Sequence, residues 1–383
     1  MGLDFQVVTT EPVSDKTSVW MDDLRAFQDR IHKVDSGFPK VVRTGPQSFF
    51  DKLKYRAALA DLRKKSAANH YDHSVMWKSQ LMNKLKELIE MGYANVIATA
   101  GPFSYLAEVA RLKDEFPHLN LIADFRDPWT NNRTSFGFDV LDSARLKEEQ
   151  RLEKRVINAF DHVVSVSDQM NVHFKKLLTS DTAFHEITNG FDQDEMKPAS
   201  HSRVNARLTL VFVGTLYKKV EPSFDAFAQA VASLPEESQA KLSVEIYGQS
   251  SAEMINKCKS LEATIRFNGS VSLSEAQMAI TEADVGLLFL TSELKYSLST
   301  KFFEYLGNDL PIWVVAEPGK TSELIVSKQL GWHSIPNHAE IKQGLMELLE
   351  LWESGHLKKT QSTEKDMFST KSLAVKYASL LTS

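Results

Sequence analysis

Short apolar runs alternate along the chain with longer stretches in which apolar residues recur every three or four positions. The runs at 5–9, 95–99, 119–124, 162–166, 208–213, 242–247, 284–290 and 311–315 are rich in Val, Ile, Leu and Phe, without strict apolar–polar alternation. Strands buried on both faces read this way. Between them, 76–91, 105–113, 144–160, 223–232, 252–261, 300–306 and 341–352 carry helical spacing. The alternation predicts α/β architecture, with parallel sheets covered by helices on both faces.

Residues 192–206 are polar and lack an apolar period, which predicts a linker. Two doubly wound domains are therefore expected, 1–195 and 206–358. A final helix is expected over 366–383, where Leu373, Ala374, Tyr377, Leu380 and Leu381 form one stripe after a polar stretch. A doubly wound sheet begins with a strand, a Gly-rich turn and a helix, and that strand lies mid-sheet. This sequence opens on what reads as the second strand. Its first strand is expected to be missing, through truncation or natural loss.

Composition narrows the class. The chain has 383 residues, 43% hydrophobic and 25% charged, ordinary values for an ordered protein. Lys plus Arg number 45 against 50 Asp plus Glu, a net charge of −5, so the basic excess of a nucleic-acid binder is lacking. The single cysteine, Cys258, excludes an internal disulfide framework and a CxxC zinc site. With no long apolar run and no basic-then-apolar leader, the expected location is cytoplasmic.

Four clusters could carry chemistry. Asp124, Arg126 and Asp127 follow a buried strand, at the edge where open α/β sheets gather ligands. They read either as a site or as an internal Arg–Asp pair that fixes the loop. Residues 187–192, ITNGFD, read as hinge entry or as an ordinary turn. At 212–219, FVGTLYKK, a strand ends at Gly214, where a missing side chain admits a ligand, and Lys218 and Lys219 offer ammonium groups to a phosphate. At 299–307, STKFFEYLG, Ser299 or Thr300 could cap a helix whose first turn presents Lys301 to a diphosphate. Glu304, one turn on, could accept hydrogen bonds from a ribose or simply stabilise the helix. Phosphate-loop, dinucleotide, nucleophile-elbow and zincin signatures are absent. Asp192-Gln193-Asp194 fits a metal-holding D-x-D pattern but lies in the linker rather than at a strand end, so no metal site is expected.

ADFRDPWT, ITNGFD, FVGTLY, IYG (246–248), EADVGLLFL and STKFFEYL occur in this order. Together they resemble the family-4-type retaining glycosyltransferases of the GT-B fold, over the whole chain. The resemblance implies two Rossmann-like doubly wound domains facing a cleft, the acceptor on the first and the nucleotide sugar on the second, with the last helix returning to the first. It implies a nucleotide-diphosphate sugar as substrate, no separate cofactor, no metal, and a glycan or lipid-linked acceptor in envelope or polysaccharide biosynthesis. It gives Glu304 to the ribose, and Gly214, Thr300, Lys301, Lys218 and Lys219 to the diphosphate. Tyr247, Gly248 and Val271 would border the base. Asp127 and Arg126 would lie at the transferring sugar as catalytic residues.

The sequence departs from that pattern. Thr215 stands where the family often has Arg, Tyr296 where it has an acid eight residues before Glu304, and Arg126 where it often has His. A catalytically impaired nucleotide-sugar-binding protein is therefore the alternative, and a GT-B-type nucleotide-sugar epimerase a weaker one. One charge pattern stands apart. Residues 40–65 hold eight bases (Lys40, Arg43, Lys52, Lys54, Arg56, Arg63, Lys64, Lys65) and two acids, interleaved with Phe49, Phe50, Leu53, Tyr55 and Leu59. This segment reads as a solvated crossover or as a peripheral contact with the inner membrane face.

Overall fold

A computed structural model describes residues 3–11, 23–132, 136–196, 206–295, 298–357 and 365–381. Most of the expected linker, at 197–205, lies outside the described residues, as do Tyr296 and the polar stretch 358–364. The chain forms two compact units, Met1–Ile187 with Ser379–Ser383, and Thr188–Ala378. The division falls inside ITNGFD.

In the first unit, β1 (Val7–Thr10) and β2 (Ile31–Val34) make a two-stranded parallel sheet. A second parallel sheet holds β3 (Asn95–Ala100), β4 (Asn120–Phe125), β5 (His162–Ser165) and β6 (Ala183–Glu186) in chain order. Every residue of β4 is buried, including Asn120 and Asp124 that flank its apolar Leu121–Ala123 centre. Helices start where side chains satisfy their leading amides: Asp142 accepts from the Arg145 amide to open Ser143–Ala159, and Ser167 from the Met170 amide to open Asp168–Lys175. The core gathers Ile122, Phe125, Trp129, Phe103, Ile157 and Phe174, all under 2% exposed.

The second unit holds β7 (Leu208–Val213), β8 (Leu242–Tyr247), β9 (Ile265–Gly269), β10 (Val285–Phe289), β11 (Ile312–Val315) and β12 (Gly331–Ser334). All pair in parallel, in the order β12-β11-β10-β7-β8-β9. Counted from β7, this is the doubly wound order, and its direction reverses between β7 and β10. Phe224, Phe227, Trp313 and Leu345 fill one core of the unit, and Phe302, Phe303, Tyr305 and Ile325 another.

The C-terminal segment is divided between the two units. The helix Thr370–Ala378 belongs to the second unit rather than the first. Its start is tied to Phe191, whose amide donates to the Phe368 carbonyl (3.1 Å) and whose carbonyl accepts from the Thr370 amide (2.9 Å). Leu373 packs against Gly190, where a Cβ would meet its Cδ1 at 2.6 Å. Only Ser379–Ser383 goes with the first unit, where the Asn120 side chain donates to the Leu380 carbonyl (2.7 Å). Among the described residues no helix is long and apolar enough to cross a membrane.

Candidate functional site

The reversal in strand order fixes where a ligand can sit in the second unit. The loops after β7 and after β10 leave in opposite directions there, opening a crevice at the carboxyl ends. Two glycines occupy those ends. Gly214, after β7, has φ 142°, and Gly248, after β8, has φ 118°. Both lie in the left-handed region where a side chain would be strained. The Gly214 amide donates to the Tyr247 carbonyl (2.7 Å), and the Gly248 amide to the Gly269 carbonyl (2.6 Å). A Cβ on Gly248 would overlap the Gly214 carbonyl, so the two turns stack backbone on backbone.

The helix Thr300–Gly307 starts beside them. Lys301 lies against Gly214, with Nζ 2.5 Å from where a Cβ on that glycine would stand. Ser299 takes the extended backbone of an N-cap, but its hydroxyl makes no cap bond; the Phe302 amide donates to the Ser299 carbonyl (3.1 Å), and among the described residues no side chain satisfies the leading amides. The positive end of the helix is left available to an anion. Its hold on the sheet comes instead from Tyr305. This fully buried phenol accepts from the Val213 amide (3.1 Å) and faces the carbonyls of Val211 (3.2 Å) and Leu287 (3.4 Å). Its ring fills the space beside Gly286, where a Cβ would meet Cδ2 at 2.5 Å. Burial pushes the phenol far above its ordinary range, so it remains a neutral strut. Sequence reasoning missed Tyr305. Its position four residues after Lys301, on the same helix face, was the available signal.

Glu304 is half-buried and, among the described residues, its carboxylate has neither hydrogen bond nor ion pair. Burial raises its carboxyl above the usual range, Lys301 opposes this, and Glu195 adds to it. A half-desolvated carboxylate beside an ammonium that has no ion pair among the described residues fits a ligand bearing both hydroxyl donors and negative charge. Thr300 and Val271 are exposed, and Tyr247 is half-buried. Lys218 and Lys219 are exposed on the turn Lys218–Val220; Lys219 pairs with Glu293 (2.6 Å), whereas Lys218 forms no ion pair among the described residues. The structure thus brings Gly214, Tyr247, Gly248 and Lys301 into direct contact, with Thr300 and Glu304 on the adjoining helix. Val271 follows the strand end that receives the Gly248 amide.

In the first unit the loop after β4 separates its two charged residues by role. Arg126 is committed to its own unit. Its guanidinium grips Asp124 through Nε (3.1 Å) and NH2 (2.9 Å), and NH1 donates to the Ile187 carbonyl (3.3 Å). Asp127 is exposed and, among the described residues, makes no hydrogen bond or ion pair; partial burial raises its carboxyl above the usual range. It faces Gly101 at the end of β3, where a Cβ would lie 3.9 Å from Oδ2. Two buried glutamates hold the loop that follows. Glu149 accepts from the Trp129 indole (2.6 Å) and the Asn69 amide (2.8 Å), and Glu153 from the Thr130 hydroxyl (2.5 Å). In the D-x-D pattern, Asp192 accepts from the Asp194 amide (2.9 Å) and Asp194 pairs with Lys371 (3.2 Å).

Comparison with solved structures identifies the architecture. HepE from Anabaena, in complex with UDP and glucose, matches with a TM-score of 0.60 over 98% of this chain and 99% of its own, at 12% identity. Sucrose-phosphate synthase from Thermosynechococcus elongatus matches at 0.64 over 98% of both chains, at 10% identity. A glycosyltransferase from Rickettsia africae matches at 0.61 over 98% of this chain and 97% of its own, at 11% identity. The chain has a GT-B-like fold. No protein-family model matches it, and no curated protein matches it in sequence. At these identities the likeness is one of GT-B fold alone, and the chemistry must be argued from the residues.

Proposed function

We propose that this protein is a glycosyltransferase that moves a sugar from a nucleoside-diphosphate donor to a glycan or lipid-linked acceptor, with retention at the anomeric carbon and without a metal, in envelope or polysaccharide biosynthesis. One observation carries the reading. An uncapped helix start bearing Lys301 and Glu304 stands against Gly214, at the reversal point of a doubly wound sheet. In this reading the leading amides, Lys301 and Lys218 offset the charge that grows on the diphosphate as its bond to the sugar breaks. Glu304 accepts from the ribose hydroxyls. Tyr247, Gly248 and Val271 border the base. In the first unit, Asp127 is the carboxylate at the reacting sugar, where it stabilises an oxocarbenium-like state. The complex of HepE with UDP and glucose supports the donor class.

A nucleotide-sugar-binding protein without turnover is the second reading. The full engagement of Arg126 with Asp124 and Ile187 favours it, because that guanidinium is spent on structure. Titration calorimetry with UDP and GDP tests the shared donor site. One nucleotide binds, and Glu304→Ala weakens it about 10- to 100-fold, the loss expected when charge-assisted hydrogen bonds are removed. Binding of neither nucleotide, or binding indifferent to the substitution, overturns both readings. A donor screen for nucleoside-diphosphate release then separates transfer from binding alone.

A further inference from the structure

The helix Phe49–Lys65 has two apolar faces where a surface helix needs one. Ser48 opens it by accepting from the Asp51 amide (3.1 Å). Leu59 and Leu62 are buried, with Tyr55 and Ala58 half-buried on the same side. Arg145 fastens the far end by donating to the carbonyls of Ala68 (2.8 Å) and Arg63 (3.1 Å). Among the described residues the near end has no such side-chain hold. There Phe49 is 72% exposed, Phe50 73% and Leu53 51%, and exposed Ala57 and Ala60 continue the stripe. At a helical turn of 100° per residue, Lys52 and Arg56 line one border of this stripe and Lys54 the other.

These cations are unclaimed. Among the described residues Lys40, Arg43, Lys52, Lys54, Arg56 and Lys64 form no ion pair, although the chain carries a net charge of −5. Of the two nearby acids, Asp51 accepts from Ser48 (2.8 Å) and Asp61 pairs with Lys65 (2.8 Å). An apolar stripe led by two phenylalanines and bordered by free bases matches the boundary between acyl chains and anionic headgroups. Two exposed aromatic rings at one helix end, held 6.1 Å apart, are costly in water and well placed at that boundary.

We propose that the outward face of Phe49–Lys65 is a docking surface for an anionic phospholipid bilayer. The phenylalanines enter the interface and Lys52, Lys54 and Arg56 meet the headgroups. The proposal stands apart from the donor-site reading, since nucleotide binding does not enter its test.

The test is flotation of the full-length protein with phosphatidylglycerol–phosphatidylcholine vesicles at low ionic strength, against phosphatidylcholine alone. The expected result is binding to the anionic vesicles only, weakened by salt. Two independent variants report on the surface: Phe49→Ser with Phe50→Ser, and Lys52→Glu with Arg56→Glu. All four side chains are exposed, so thermal melts should match the parent, and each pair should lower the bound fraction about tenfold. Absence of binding to anionic vesicles, equal binding to neutral ones, or binding unchanged in both variants overturns the proposal. So does a concentration-dependent dimer that Phe49→Ser with Phe50→Ser abolishes, since the stripe would then belong to a second copy.

Discussion

Lys301 runs across the face of Gly214, its side chain filling the space a β-carbon there would need. Gly214→Ala should displace the lysine and strain a backbone already at φ 142°. UDP or GDP affinity should fall about tenfold or more, with about 1 kcal/mol lost in stability. Calorimetry and a denaturant melt measure the two separately. Unchanged affinity would show that the lysine's placement is irrelevant to the nucleotide.

Tyr305→Phe keeps the buried ring and deletes only the phenol oxygen. The Val213 amide then lacks its partner inside the unit. The expected cost is about 1–3 kcal/mol in unfolding free energy. A loss within about 0.5 kcal/mol would mean the helix is held by packing alone.

Arg126 offers a choice between structure and chemistry. Its Asp124 partner is 5% exposed and also accepts from the Thr99 hydroxyl (3.2 Å), so Arg126→Ala strips a buried carboxylate of its guanidinium but not of every partner, at an expected cost of about 3 kcal/mol. Arg126→Lys should recover only part of this, because an ammonium cannot reproduce the two-point grip. Full stability with lost turnover would instead mark the residue as catalytic.

Glu149 gives the first unit a pH dependence. Burial, reinforced by Asp72, pushes its carboxyl up to about 7. The folded state therefore keeps a proton that the unfolded chain releases near the usual glutamate value. The associated stability is complete below that value and is lost as pH rises towards 7, by about 3 kcal/mol in all. Glu149→Gln should flatten the slope between pH about 5 and 8, whatever it does to absolute stability. An identical slope in the variant would sink the assignment.

The strands that pattern reading located were mostly interior ones. The three it missed, β2, β9 and β12, all lie at sheet margins. There one face or edge meets water, and sequences such as IHKV and GWHS carry polar residues that break the apolar run. The Phe49–Lys65 helix escaped for the opposite reason, because two apolar faces leave no single stripe. At the candidate site, Gly214, Lys301 and Glu304 could be singled out because a glycine after a strand end and charged residues in the first turns of a helix are residue types that an anion site uses. Tyr305 was harder to find: its place four residues after Lys301 put it on the right helix face, but its function is a hydrogen bond to Val213, 92 residues away in sequence, and no local period encodes that.

Ser48, Ser167, Ser251 and Ser272 each close a helix start with their own hydroxyl, and Ser299 does not. Ser299→Asp is the substitution a stability engineer would choose first, since a carboxylate there would cap the helix and complement its dipole. Under the proposed donor site, the same change would station a permanent competitor where the donor's phosphates would arrive. Robustness and nucleotide binding would then pull that one position in opposite directions, and an idle hydroxyl is what the second of them asks for.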